Sequence, residues 1–252
     1  METYLEKKQS QVNLITGKAE INTNPIFQYS FPLDNFQNHG TNSIEKGHNV
    51  FVVVPTSSGK TLVAECAIRY IVEVLKKRVV YTSPIKSLSN EKYEDFKKKF
   101  TFPIGLLTGD SKRDPESPCV IMTAEILRNA LYKLNKDDKM ETDDQPKYEI
   151  NSDFVDSIGG IVVDEIQYST DEERGKVWEE TFILLPDNVQ IFMLSGTVAN
   201  PHIYADWVSE CTGKPIDLIV ESKRLIPLRH FVYMGNESPS GEKLYEYLDS
   251  HE

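Results

Sequence analysis

The sequence is short of positive charge, of cysteine and of long apolar runs, and each shortage removes a class of function. Lys and Arg number 28 against 39 Asp and Glu, a net charge of −11, which argues against a broadly basic nucleic-acid coat protein. A local groove that takes phosphates on backbone N–H groups and hydroxyls stays open, because such contacts need no excess of cations. The three cysteines, Cys66, Cys119 and Cys211, are odd in number, far apart and without metal-ligand spacing. They read as buried thiols of a reducing compartment, cytosol or nucleus. No apolar run approaches the roughly 20 residues that cross a bilayer. Residues 1–10 are polar and mixed in charge, unlike a signal or transit peptide. No membrane role is expected.

One further absence lies in the stretch that organises the chain, Val54-Pro55-Thr56-Ser57-Ser58-Gly59-Lys60-Thr61. A phosphate-binding loop usually opens on Gly, and Val54 stands there instead. The setting is otherwise right. Asn49 to Val54 is short, apolar and β-branched, as a buried strand is, and Leu62 to Leu75 carries apolar residues at helical spacing without Gly or Pro. Small residues let amides wrap a phosphate, and the helix N-terminus adds partial positive charge. Lys60 would reach the β- and γ-phosphates, and the Thr61 hydroxyl would ligand Mg²⁺. Gly-Lys-Thr alone also reads as a βα turn with a surface lysine. The second element is Ile161-Val162-Val163-Asp164-Glu165, a buried-strand run ending in two carboxylates. The first can hold Mg²⁺ and the second can orient the attacking water. Together the two elements imply nucleotide hydrolysis.

The remaining segments alternate strand and helix. Strands are predicted at 78–83, 104–107, 119–122, 191–194 and 216–220, and helices at 85–100, 124–134, 176–185 and 201–211. Apolar strands throughout predict an α/β fold, a parallel sheet with helices on both faces. Small polar residues recur at the strand C-termini, the edge where such sheets bind ligands. Residues 1–24 read as a loose or small N-terminal appendage, 25–228 as the main domain, 133–149 as an acidic surface insertion, and 229–252 as a polar exit segment with a strand near 228–234. Phe31 and Phe36 read either as packing for the first helix or, for Phe31, as a face for adenine. Gln37 has the donor and acceptor that an adenine edge requires. The lysines of 92–99 read as a solvated helix face.

These segments, in this order, resemble the superfamily-two DExH-type RNA helicases, specifically the Ski/Mtr branch that feeds RNA to the exosome. The likeness runs from about Phe31 to about Leu228. Phe31 and Gln37 look like the adenine-reading motif, and Thr56, Ser57, Ser58, Gly59, Lys60 and Thr61 like motif I. Thr82-Ser83-Pro84-Ile85-Lys86-Ser87-Leu88-Ser89-Asn90 resembles motif Ia, and Leu107-Thr108-Gly109-Asp110 resembles motif Ib. Met122 to Arg128 is similar to the Thr-Glu-Ile-Leu-Arg segment and Asp171 to Glu180 to the Trp-Glu-Glu stretch.

The resemblance implies a RecA-like P-loop NTPase domain that uses ATP and Mg²⁺, with Lys60, Asp164 and Glu165 catalytic. It also implies that Pro84, Lys86, Thr108, Gly109 and Thr123 grip a single-stranded RNA backbone, while Gln167, Ser195 and Thr197 couple nucleotide state to that grip. Without it, Ser195 and Thr197 read as a polar strand end. Three departures stand out: Val54, Gln167 where the branch has His, and Gly196 where it has Ala. The family's motor has a second RecA-like domain that supplies arginines worth roughly 10³–10⁵ in rate. No stretch after Leu228 is long enough to be one, so that domain is expected from elsewhere and slow turnover from this chain alone. A partner-dependent nucleotide- or RNA-binding module and a DNA helicase fragment are the rival readings. The stretch 223–228 leans towards the cytoplasmic Ski type over the nuclear Mtr type.

Overall fold

The computed structural model describes residues 10–135, 150–170, 172–222, 229–233 and 244–248. It divides into two units, residues 1–221 and 222–252. The boundary lies a few residues before the expected exit at 229. The stretch 223–228, insertion residues 136–149 and Asp171 lie outside the described residues.

The larger unit is a nine-stranded sheet in the order β1-β9-β2-β8-β7-β3-β6-β4-β5. In chain order the strands are β1 (Val12–Ile15), β2 (Asn49–Val53), β3 (Arg78–Ser83), β4 (Ile104–Thr108), β5 (Ser111–Arg113), β6 (Cys119–Thr123), β7 (Ile158–Val163), β8 (Gln190–Ser195) and β9 (Ile216–Val220). All pairings are parallel except β4 with β5, a tight hairpin at one edge. The expectation of a parallel sheet therefore holds with one antiparallel edge strand added. A larger correction concerns the expected N-terminal appendage. Val12–Ile15 pairs in register with Ile216–Ile219 and forms the opposite edge of the main sheet. Its four residues are mostly polar-flanked and half-exposed, so no apolar run announced them.

Successive residues on each strand point to opposite faces, and two separate cores follow. Val50, Val52, Tyr81, Ile121, Val162 and Phe192 pack beneath α1 (Asn35–Glu45), α2 (Thr61–Arg69) and α3 (Lys86–Lys99). Phe51, Val53, Val80, Ile161, Val163 and Met193 face α4 (Ala124–Asn135), α5 (Ser152–Asp156), α6 (Glu172–Leu184) and α7 (Pro201–Thr212). The helix expected at 62–75 is α-helical only to Arg69 and continues as a π-helical turn over Tyr70–Val74. That turn sets Ile71 against β7, where a Cβ on Gly160 would come within 2.3 Å of Ile71 Cδ1.

The β4–β5 hairpin imposes an equally close approach, to a less yielding atom. A Cβ on Gly105 would stand 2.3 Å from the Asp114 carbonyl oxygen, a backbone atom, and Asp114 is itself in the left-handed region at φ 41°. Gly105→Ala is therefore expected to destabilise the chain by about 1–3 kcal/mol, or roughly 2–12 °C in Tm. A thermal melt unchanged from the parent would contradict this packing.

The smaller unit contains an antiparallel pair, β10 (His230–Tyr233) with β11 (Leu244–Leu248). Arg229 makes two 2.6 Å hydrogen bonds to the Glu246 carboxylate across it. The strand near 228–234 was expected; the second, within a polar tail, was not. Among the described residues no helix is long and apolar enough to cross a membrane. Cys66 and Cys119 are buried and Cys211 is partly exposed. Burial pushes the Cys66 thiol up to about 11, the condition of an inert thiol.

Candidate active site

Because β2, β8 and β7 are parallel neighbours, their C-terminal ends open on one edge, and each delivers part of the site. The phosphate loop follows β2, the acid pair follows β7, and Ser195 closes β8. The ladder continues past the strands: Val54 N–H donates to the Ser195 carbonyl at 3.1 Å, and Asp164 N–H to the Thr82 carbonyl at 3.0 Å.

The loop has the backbone that phosphate binding needs. Ser57 and Gly59 are left-handed, at φ 68° and 83°, and Lys60 beside Gly59 is right-handed, at φ −55°. Alternation of that kind forms an amide-lined concavity suited to anions, here at the first turn of α2. Val54 needs no glycine conformation, and its side chain is fully buried in the core under α1–α3. The departure at the first motif position is thus absorbed by packing. Thr56, Ser57 and Gly59 are exposed, whereas Ser58 and Lys60 are buried.

The Lys60 ammonium pairs with the Glu165 carboxylate at 2.8 Å, with side-chain exposures of 8% and 24%. Glu165 is itself left-handed, at φ 55°, a conformation that costs a non-glycine residue about 1–3 kcal/mol and collects at functional sites. The Gln167 amide donates to the same carboxylate, and its oxygen accepts from Ser195 Oγ at 2.7 Å. A chain of contacts therefore runs Lys60–Glu165–Gln167–Ser195 across three adjacent strand ends. Ser195 Oγ also reaches the Thr197 carbonyl at 3.4 Å, while the Thr197 side chain faces solvent. Gln167, uncharged where a His was the family expectation, still bridges its two neighbours. At Gly196 a Cβ would stand 3.0 Å from Thr56 Oγ1 and 3.6 Å from Lys60 Nζ. What the missing methyl leaves is room beside the loop lysine.

Asp164 is buried, with Oδ1 accepting from Glu165 N–H at 3.0 Å and Oδ2 from the Tyr81 hydroxyl. Burial pushes its carboxyl up, and the Tyr81 hydrogen bond works against that. Hard oxygen donors such as Thr61 and Asp164 suit Mg²⁺, which keeps several waters and completes its shell with substrate phosphates. Among the described residues no group of three or more His, Cys, Asp or Glu could hold a metal unaided.

Around the loop the expectations divide. Gln37 is buried, its oxygen accepting from Asp34 N–H at 2.8 Å and its amide donating to the Gly59 carbonyl at 3.2 Å. It thus ties the start of α1 to the phosphate loop. Asp-x-x-Gln is a capping-box pattern, a signal for this role that the sequence itself carries. Phe31 is 51% exposed and lies against Tyr29 at 5.4 Å, free of the core, whereas Phe36 is core.

The residues expected to grip nucleic acid share the same edge, at the ends of the neighbouring strands β3, β6 and β4. Pro84 and Thr123 are half-buried and Gly109 is exposed. Exposed Lys86 pairs with Asp110 at 2.6 Å. Thr108 is buried, and its hydroxyl accepts from Ser111 N–H in the hairpin turn, so its side chain serves the fold.

A left-handed loop closing on a buried lysine, with an acid pair two strands away on a mostly parallel sheet, defines a RecA-like P-loop nucleotide-binding domain. Residues 34–204 match the DEAD/DEAH box helicase family, and the chain belongs to that family. It is 41% identical over 226 residues to superkiller complex protein 2 of Homo sapiens, covering 90% of this chain and 17% of that protein. It is 38% identical over 224 residues to exosome RNA helicase MTR4 of Mus musculus, covering 89% and 19%. The chain thus spans about a fifth of the curated relatives it matches. Among solved structures, the DUF1998 helicase MrfA bound to DNA superposes with a TM-score of 0.60 at 16% identity, over 84% of this chain and 31% of that one. At that identity the likeness concerns the fold.

Proposed function

We propose that this chain is the ATP-binding domain of an RNA helicase motor. The observation that carries the reading is the continuous contact from Lys60 through Glu165 and Gln167 to Ser195. It joins the group that would hold the γ-phosphate to the acid pair at the end of β7, the strand next to β3 and its nucleic-acid residues. Lys60 and the loop amides bind the phosphates, Thr61 and Asp164 hold Mg²⁺ (Asp164 through water), and Glu165 accepts the proton of the attacking water. Bound Mg²⁺ supplies neutralisation of the charge on the β- and γ-phosphates. Pro84, Lys86, Gly109 and Thr123 hold the backbone of single-stranded RNA, a contact with little sequence information.

RNA is favoured over DNA by relatives at 38–41% identity that are named RNA helicases. The name of the exosome RNA helicase supports work alongside exosome-associated subunits, and this reading takes a second RecA-like domain from elsewhere to complete the motor. The resemblance of the 223–228 stretch to the Ski type favours the cytoplasm over the nucleus.

The test is ATP hydrolysis by the purified chain with and without single-stranded RNA. Turnover stimulated by RNA is expected. Lys60→Ala should weaken ATP binding by about 1.5–3 kcal/mol, the worth of a charge-assisted hydrogen bond, or roughly 10–150-fold in Kd. Unchanged binding in that variant defeats the reading. A partner-dependent module without turnover of its own is the second reading, favoured by the uncharged Gln167 at the centre of the contact chain and by Gly196 beside the loop lysine. RNA affinity indifferent to ATP would select it.

A further inference from the structure

Tyr81 lies on β3, one strand away from the acid pair, and is wholly buried. Its ring stands edge-on to Phe96 of α3, with centroids 5.1 Å apart and an interplanar angle of 88°. Its hydroxyl donates to Asp164 Oδ2. The residue next to it, Thr82, accepts the Asp164 N–H at 3.0 Å. Two consecutive residues of β3 thus fix both the backbone and the carboxylate of Asp164, while Glu165 N–H holds the other oxygen. A carboxylate offers about four lone-pair sites, so two donors leave acceptor capacity for a metal-bound water.

We propose that Tyr81 is a positioning residue of the metal site, setting the orientation in which Asp164 meets Mg²⁺. This rests on the nucleotide-binding reading above. A buried tyrosine needs some acceptor for its hydroxyl in any fold, so burial alone does not distinguish this role from plain satisfaction. The partner does. The acceptor is the one carboxylate assigned to the metal, and the donor is fixed on a ring that cannot swing without disturbing Phe96. Groups that orient a metal ligand from behind typically cost about 10–100-fold in metal affinity when removed, although they never touch the ion.

Tyr81→Phe in the full chain removes the hydroxyl and keeps the ring. Mn²⁺ serves as the probe, titrated into the ADP-saturated protein by electron paramagnetic resonance. Nucleotide affinity is measured separately in EDTA with a fluorescent ATP analogue, and the melting temperature is recorded. The expected result is a loss of Mn²⁺ affinity of about 10–100-fold, with affinity in EDTA within about twofold of the parent. In an Asp164→Ala background the same substitution should add nothing, since a shared pathway makes the two effects non-additive.

Mn²⁺ affinity within about twofold of the parent overturns the proposal while leaving the nucleotide site intact. Equal loss in EDTA and in Mn²⁺ also overturns it, because it marks general damage to the pocket. A parent chain that binds nucleotide neither with nor without the ion overturns the reading on which the proposal rests, and the proposal with it.

Discussion

Glu165→Gln is expected to bind ATP at least as tightly as the parent chain while hydrolysing it about 10²–10⁴-fold more slowly, the usual worth of a positioned general base. The two effects have different physical origins. Turnover falls because an amide cannot accept the proton of the attacking water. Affinity is retained because Gln keeps the shape and an oxygen that accepts from Lys60, now 2.8 Å from the carboxylate. Removing the anion also relieves repulsion with a triphosphate. Gln167, which donates to Glu165 and accepts from Ser195, can keep both neighbours if the new amide presents its oxygen. RNA-stimulated turnover and ATP affinity should both be measured, on parent and variant. A variant retaining more than about a tenth of the parent rate would exclude Glu165 as base. A variant that lost ATP binding would mean the carboxylate serves chiefly to hold the loop lysine.

Much of the site was legible because its parts announce themselves locally. Lys60 and Thr61 sit in a small-residue turn between an apolar strand and a helix, and Asp164-Glu165 closes an apolar run. Both are patterns within a few residues. What was not legible depended on contacts between distant residues. Tyr81 reads as one more apolar strand position, and its partner Asp164 lies 83 residues on. Gln37 carried a signal for adenine and one for helix capping, and in the structure the amide caps the helix and reaches Gly59. Thr108 matched a motif by position, yet its hydroxyl closes a hairpin that no periodicity could foretell, because β5 is only three residues long.

The fold divides along the same line. Central strands are apolar on both faces, since each has a core to meet on either side, and their expected bounds agree within a residue or two except in β7, which begins at Ile158, three residues before the run expected at 161. Edge strands have one neighbour and can be very short. Val12–Ile15 is apolar at three of its four positions but stands as a brief, partly exposed run inside an otherwise polar stretch, too short to announce a strand. The glycines of β7 were likewise silent, since a glycine in a strand states that something approaches closely without saying what.

Phe192 approaches Gly160 from β8, as Ile71 does from the π-helical turn, and removal of Phe192 is the largest stability change expected. Phe192 lies in the middle of β8, fully buried, opposite Val50 of β2 and Val162 of β7. A Cβ on Gly160 would come within 3.0 Å of its ring, so the ring occupies the space that a side chain at 160 would take. Phe192→Ala should cost about 3–5 kcal/mol, or roughly 6–20 °C in Tm. The glycine beside the void has no side chain to relax into it, which places the loss towards the upper end. Urea and thermal unfolding check this, and a shift below about 2 °C would mean the ring is not a core element. The glycine supplies a second check. Gly160→Ala in the parent meets both Phe192 and Ile71 and should destabilise. In the Phe192→Ala background the methyl no longer meets the ring, and Ile71 Cδ1, 2.3 Å from the Cβ position, can turn into the space the ring leaves, so the double variant should be more stable than the sum of the two losses. Such coupling follows if β7 and β8, whose ends carry Asp164 and Ser195, are set side by side by the absence of a side chain at 160.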